Sequence, residues 1–164
     1  MIECFIAVGS NLEDPARQVR QSFAAMARLP DTVLIKASSL YANPPIGPPD
    51  QPDYINAVVC LQTNLPPDGL LQALKGLEQA AGRQAGRIWG ERVLDLDILT
   101  YGDLVLAQDR LRIPHPEIAR RRFVLVPWLE IAPSATLPDG RAVADLLAAA
   151  PPHQLVKLTE EEQV

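Results

Sequence analysis

The order of apolar runs along this chain predicts an α+β fold. Strand-like runs, alternating or continuously apolar, fall near residues 2–8, 32–41, 54–63 and 93–101. Helical spacing of apolar residues fills 14–29 and 66–82. Proline and glycine stand at the joins, where they interrupt regular structure.

Residues 2–8 read as a buried strand, and Gly9-Ser10-Asn11 as the turn after it. Asp14 is expected as a capping acceptor and Pro15 as the first helical residue, followed by Val19, Phe23, Met26 and Ala27 on one helical face. Residues 32–41 and 54–63 form two strands joined by NPPIGPPDQP at 43–52, a stiff loop in which φ is restricted at many positions. Such a loop is either a plain connector or a holder of backbone groups for a ligand. Pro66-Pro67-Asp68 opens a second helix with Leu70, Leu71, Leu74 and Leu77 as its buried stripe, ending at Gly82. A loop of glycine and arginine leads to a strand at 93–101, then a turn at Gly102-Asp103 and a short strand at 104–106. The β-α-β-β-α-β order is that of a ferredoxin-like sheet with helices on one face. The remaining third adds the loop RIPHPEI, the apolar segment FVLVPWLEIAP, a short helix at Val143–Ala149 and a final strand near 154–158, so extra C-terminal helices are expected. The other face of the sheet is then solvated or a binding surface.

With 164 residues, 48% hydrophobic and 21% charged, the chain is expected to be a single domain, 1–164, with a sizeable core. A net charge of -5 argues against a nucleic-acid binder. The N-terminus lacks a basic region before its apolar run, and no run reaches the roughly 20 residues of a membrane span, so a cytoplasmic protein without membrane partners is expected. Cys4 and Cys60 fall in strand-like runs and read as buried thiols.

The stretch GERVLDLDIL carries two aspartates in a strand, where aspartate is depleted. Side chains alternate along a strand, so Asp95 and Asp97 share one face and Leu94, Leu96 and Ile98 the other. Two close carboxylates repel unless a cation lies between them. A divalent metal is one reading; a solvated pair on an edge strand is the other. Eight arginines, at 83, 87, 92, 110, 112, 120, 121 and 122, crowd the same region, while lysine is scarce. The guanidinium fork suits phosphate, so a polyphosphate substrate follows. Neither GxxxxGK[ST] nor GxGxxG occurs, which leaves metal and arginine to handle the phosphates. Trp89 and Phe123 are rings that can sandwich a flat heterocycle or simply belong to the core. Tyr54 and Asn56 share one strand face, and Asn56 needs a polar partner if buried. His115 either contacts phosphate or caps a turn.

These residues occur in AVGSNL (7–12), PPIGPPDQPDYINAV (44–58), RIWGERVLDLDIL (87–99), IPHPEI (113–118) and RRFVLVPWLEIAP (121–133). Together they resemble the 6-hydroxymethyl-7,8-dihydropterin pyrophosphokinases, folate-pathway enzymes, over most of the chain. The resemblance implies transfer of pyrophosphate from ATP to the pterin's hydroxymethyl group, with AMP released. It implies Asp95 and Asp97 as ligands of two Mg²⁺ ions, and Arg83 and Arg92, with Asp97, as catalytic residues. It places Leu71, Glu78, Ile98, Arg110, Arg112, His115 and Arg121, together with Arg83 and Arg92, about the ATP. It places Asn43, Pro44, Ile46, Tyr54, Asn56, Trp89 and Phe123 about the pterin. A monomer acting on small-molecule substrates is implied. The sequence departs from the family at Ile88, where a basic residue is usual, and at Pro116, where some members carry an aromatic one. The rival readings are a non-catalytic ligand-binding module of the same fold and a magnesium-dependent phosphohydrolase.

Overall fold

The computed structural model describes residues 1–82, 93–159 and 161. The chain runs β1 (Ile2–Ser10), α1 (Pro15–Ala27), β2 (Thr32–Ala37), β3 (Tyr41–Asn43), β4 (Tyr54–Thr63), α2 (Pro67–Ala80), β5 (Asp95–Tyr101), β6 (Leu106–Ala107), β7 (Arg112–Ile113), α3 (Arg122–Ile131), α4 (Val143–Ala149) and β8 (Val156–Lys157). β1 pairs antiparallel with β4 on one side and β5 on the other. The far edge of β4 carries β2 and then β3, and β8 pairs with β3. β1 and β2 are therefore parallel with β4 between them, and β4 and β5 are parallel with β1 between them. Each strand–helix–strand unit is split by a strand of the other, which is the ferredoxin-like arrangement the sequence predicts. β5 ends the sheet's strand order, and β6 and β7 form a separate two-stranded ribbon.

The first face of the sheet presents Cys4, Ile6, Val8, Ala57, Val59, Leu61, Leu96 and Ile98, and α1 and α2 cover it with Val19, Met26, Leu70 and Leu74. Leu71 and Leu77 of the expected stripe are only partly buried, because a fourth position, Glu78, turns inward beside them. Gly82 adopts φ +96 just beyond α2, the left-handed turn that lets the chain leave a helix.

The second face is not left open along its length. Phe5, Val58, Cys60 and Leu99 are covered by α3 and α4, with fully buried Trp128 at the centre and its ring 5.2 Å from that of Phe5. The segment FVLVPWLEIAP thus forms a helix in spite of Pro127. Burying Val124, Leu125 and Trp128 outweighs the roughly 3 kcal/mol that an interior proline costs a helix. Both thiols are buried as expected, and burial pushes Cys4 up to about 12 and Cys60 up to about 11.

Three local expectations change. Asp14 occupies the cap position of α1, but at φ 61 its side chain makes no capping hydrogen bond. Capping needs an extended backbone there, and the preceding Glu13 is left-handed too. The strand at 32–41 is broken in two at Ser38, whose Oγ accepts the Val58 N–H at 2.9 Å in place of a backbone carbonyl. The strand at 104–106 shifts to Leu106–Ala107 and pairs with β7 rather than with the main sheet.

Candidate active site

Register along the second face builds the site. Gly9 on β1 lies opposite Asn56 of β4 and Asp95 of β5, and Ala7 lies opposite Val58 and Asp97. The apolar cluster under α3 and α4 reaches this row at Val58, with Ala7 packed against its margin. Beyond it, Gly9 stands between an amide wall on β4, at Asn56, and a carboxylate wall on β5, at Asp95. A Cβ on Gly9 would stand 2.8 Å from Asn56 Oδ1 and 3.7 Å from Tyr54, so glycine here is a matter of space.

The amide wall is oriented by a chain of hydrogen bonds. Asn43 Nδ2 donates to the Pro44 carbonyl at 3.0 Å, and Asn56 Nδ2 donates to Asn43 Oδ1. A carbonyl can only accept, so the direction of the whole chain is set at Pro44. Asn56 Oδ1 is thereby turned over Gly9. Asn43 and Asn56 are buried, Tyr54 and Pro44 are half-buried, and Ile46 is exposed. At the other end of the proline loop, Asn11 Nδ2 donates to Gln51 Oε1 at 3.0 Å and to the Pro52 carbonyl at 3.1 Å. The turn after β1 and the proline loop are thus tied together by two buried amides.

The carboxylate wall faces the loop after β7. The His115 backbone N–H donates to the Leu99 carbonyl at 3.0 Å, docking that loop on β5. The Glu117 N–H donates to His115 Nδ1 at 3.1 Å, so the proton of the neutral ring sits on Nε2, which lies 4.0 Å from Asp97 Oδ2. Burial, and then the Arg121 guanidinium, hold the imidazole down at about 4 against the pull of Glu117 and Asp95. The contact with Asp97 is therefore between a carboxylate and a neutral N–H, not an ion pair. Asp97 keeps about a third of its side chain, 34%, exposed. The Arg121 guanidinium lies over the Phe123 ring, 5.8 Å from its centre.

The structure thus brings Asp95, Asp97, His115, Arg121 and Phe123 to the second face with Asn43, Pro44, Tyr54 and Asn56. Ile98, Leu71 and Glu78 belong to the first face, across β5 from the aspartates. Glu78 Oε2 accepts the Leu96 N–H at 2.8 Å, so this buried carboxylate grips the backbone between the two aspartates. Arg110 pairs with Asp68 at the start of α2, 3.2 Å away, and Arg112 is an exposed residue of β7. Arg83, Arg87, Trp89 and Arg92 lie outside the described residues. A separate cavity of about 300 Å³, lined in part by Pro114, His115, Leu137 and Arg141, includes neither aspartate.

Among the described residues no group of three or more His, Cys, Asp or Glu side chains could by itself hold a metal ion. Asp95 and Asp97, on one face of β5, are two carboxylates of the kind that commonly hold magnesium with substrate phosphates completing its shell. Residues not anticipated from sequence are Gly9, Ala7, Asn11, Gln51 and Glu117. The signal for Gly9 and Ala7 was alternation itself: small residues at every second position of a strand facing two aspartates.

The fold is an α+β split antiparallel sheet that carries paired aspartates and oriented amides on one face. The sequence model of the family described as 7,8-dihydro-6-hydroxymethylpterin-pyrophosphokinase (HPPK) matches residues 5–133, and the chain belongs to that family. A Haemophilus influenzae protein named 2-amino-4-hydroxy-6-hydroxymethyldihydropteridine pyrophosphokinase is 44% identical over 158 residues, covering 96% of this chain and 99% of that one. A Pseudomonas aeruginosa protein of the same name is 46% identical over 147 residues, covering 90% of this chain and 91% of its own. Among solved structures, a Plasmodium falciparum HPPK-DHPS triple mutant superposes with a TM-score of 0.72 at 12% identity, over 90% of this chain and 44% of that longer one. At that identity the likeness speaks for the fold.

Proposed function

We propose that this chain transfers pyrophosphate from ATP to 6-hydroxymethyl-7,8-dihydropterin, giving the pterin diphosphate and AMP in folate biosynthesis. Membership of the pyrophosphokinase family supports the reaction. The observation that carries the site is the register that puts Gly9 and Ala7 between oriented amides on β4 and Asp95 and Asp97 on β5.

The pterin edge, with its alternating donors and acceptors, is read by Asn56 and backbone near Asn43, Pro44 and Ile46. Tyr54, Phe123 and Trp89 supply flat apolar contact. Asp95 and Asp97 would hold two magnesium ions, which when bound draw charge from the triphosphate and fix it for in-line attack. The pterin hydroxyl oxygen bonds to the β-phosphorus as the bond from that phosphorus to the α-bridging oxygen breaks. The hydroxyl proton passes to a carboxylate, a role this scheme assigns to Asp97. Arg83 and Arg92 steady the charge that develops, and His115 presents an uncharged N–H beside Asp97. Arg110, Arg112 and Arg121 meet the nucleotide, while Leu71, Glu78 and Ile98 back the strand it lies against. Catalysis in this scheme is positioning and charge stabilisation.

The chain acts as a single pyrophosphokinase domain, cytoplasmic and monomeric, on small molecules without nucleic acid. Among the described residues no helix is long and apolar enough to cross a membrane. Incubation with ATP, Mg²⁺ and the hydroxymethyl pterin tests the reading. AMP should form only when all three are present. Nucleotide hydrolysis without the pterin would favour the phosphohydrolase, and silence in every mixture the binding module.

A further inference from the structure

The C-terminal segment reaches the amide wall from outside the residues that match the family. β8 pairs with β3, and the Leu158 N–H donates to the Leu40 carbonyl at 2.9 Å. This brings half-buried His153 against Pro44, with Nε2 2.8 Å from the carbonyl oxygen. That oxygen can only accept, so Nε2 carries the hydrogen. The same imidazole meets the Phe123 ring edge-on, with centres 5.7 Å apart and planes at 71°. One side chain therefore touches two elements assigned to the pterin pocket. The Pro44 carbonyl it holds is also the acceptor that sets the direction of the Asn43–Asn56 amide chain.

We propose that His153 is a positioning residue for the pterin pocket. It fixes the Pro44 carbonyl and the Phe123 ring relative to each other, and through them the face that Asn56 presents to the heterocycle. The proposal rests on the pocket assignment given under Proposed function. Its effect should fall on the pterin rather than on ATP, because the described His153 contacts touch neither Asp95 nor Asp97 and reach Arg121 only through the Phe123 ring.

The test is steady-state kinetics of H153A, H153Q and H153F, with N56A alongside. H153A should raise the pterin KM about 5-fold or more, as expected for losing one hydrogen bond and some pre-positioning, and leave the ATP KM unchanged. H153Q retains a donor for Pro44 and H153F retains the ring contact, so each should recover part of the loss. If H153A does not fold, a selective rise in pterin KM in both remaining variants supports the role. The role is refuted if the His153 variants leave the pterin KM within about twofold of the parent, or raise both KM values alike, while N56A raises that for pterin. If N56A leaves it unmoved, the pocket assignment itself falls, and the role of His153 with it.

Discussion

Gly9 shows how much one absent side chain can decide. It sits between the Asn56 amide and Asp95 in the strand register, and a single added methyl would meet Asn56 Oδ1 at 2.8 Å. G9A should fold, since β1 is flanked by pairing on both sides, yet raise the pterin KM by roughly 10-fold by displacing the amide. Titration of initial rate against pterin checks this, and an unchanged KM would mean that the pocket lies elsewhere. On the other side of Gly9, D97A should lose at least about 100-fold in AMP formation while keeping its circular dichroism spectrum, because it removes a carboxylate assigned to hold the magnesium that offsets the charge of the reacting phosphates. Near-parental turnover would place the metal elsewhere. Both aspartates and Asn56 were legible in the sequence because each breaks a rule, a polar group on an apolar strand. Asn11 and Gln51 were not, since an amide in a loop breaks none until tertiary structure buries it, nor was Glu117, which acts on His115 through its backbone N–H.

At the scale of elements, the join between β2 and β3 is clamped from α3. Glu130 takes the Ser39 backbone N–H at 3.0 Å and the Tyr41 hydroxyl at 2.6 Å. Desolvation alone would raise its carboxyl, but the hydrogen bonds from Tyr41 and Ser39, with the nearby Lys157 charge, hold it below the usual range. A carboxyl depressed in the folded state stabilises above its unfolded pKa and loses that contribution as pH falls through the folded value. Parental stability should therefore drop on acidification below about pH 4.5. E130Q should be less stable at neutral pH by about 1 kcal/mol, allowing for solvent screening, and lack that part of the acid dependence. Urea melts from pH 7 to pH 3 measure it; parallel curves would remove the clamp. The two helices on the first face were readable because their apolar residues recur at helical spacing. α3 was not, because it is apolar almost all round and carries Pro127, so neither periodicity nor breaker rules point to a helix. Only its burial against the second face makes it one.

For the molecule as a whole, β1 and β4 contribute side chains to both cores, alternately up and down. Neither core can come apart while the other keeps its strands paired. L74A on the first face and W128A on the second should each destabilise by about 2–5 kcal/mol. Each should leave a single unfolding transition, seen alike by fluorescence and far-ultraviolet dichroism. Separate midpoints for the two probes would show that the faces melt independently. The ferredoxin-like sheet was legible from element order alone. That the second face is shared between a core and a site was not, because nothing local in the sequence says where α3 will lie.

β5 ends the strand order of the sheet, and Asp95 and Asp97 stand on it. A carboxylate pair on an inner strand would be hemmed by neighbouring ladders to left and right. Among the described residues one flank borders no further strand of that sheet, and Glu78 and His115 steady it at Leu96 and Leu99. A bulky triphosphate can then come in sideways over the rim, and turnover after turnover need not disturb a single rung of the framework beneath.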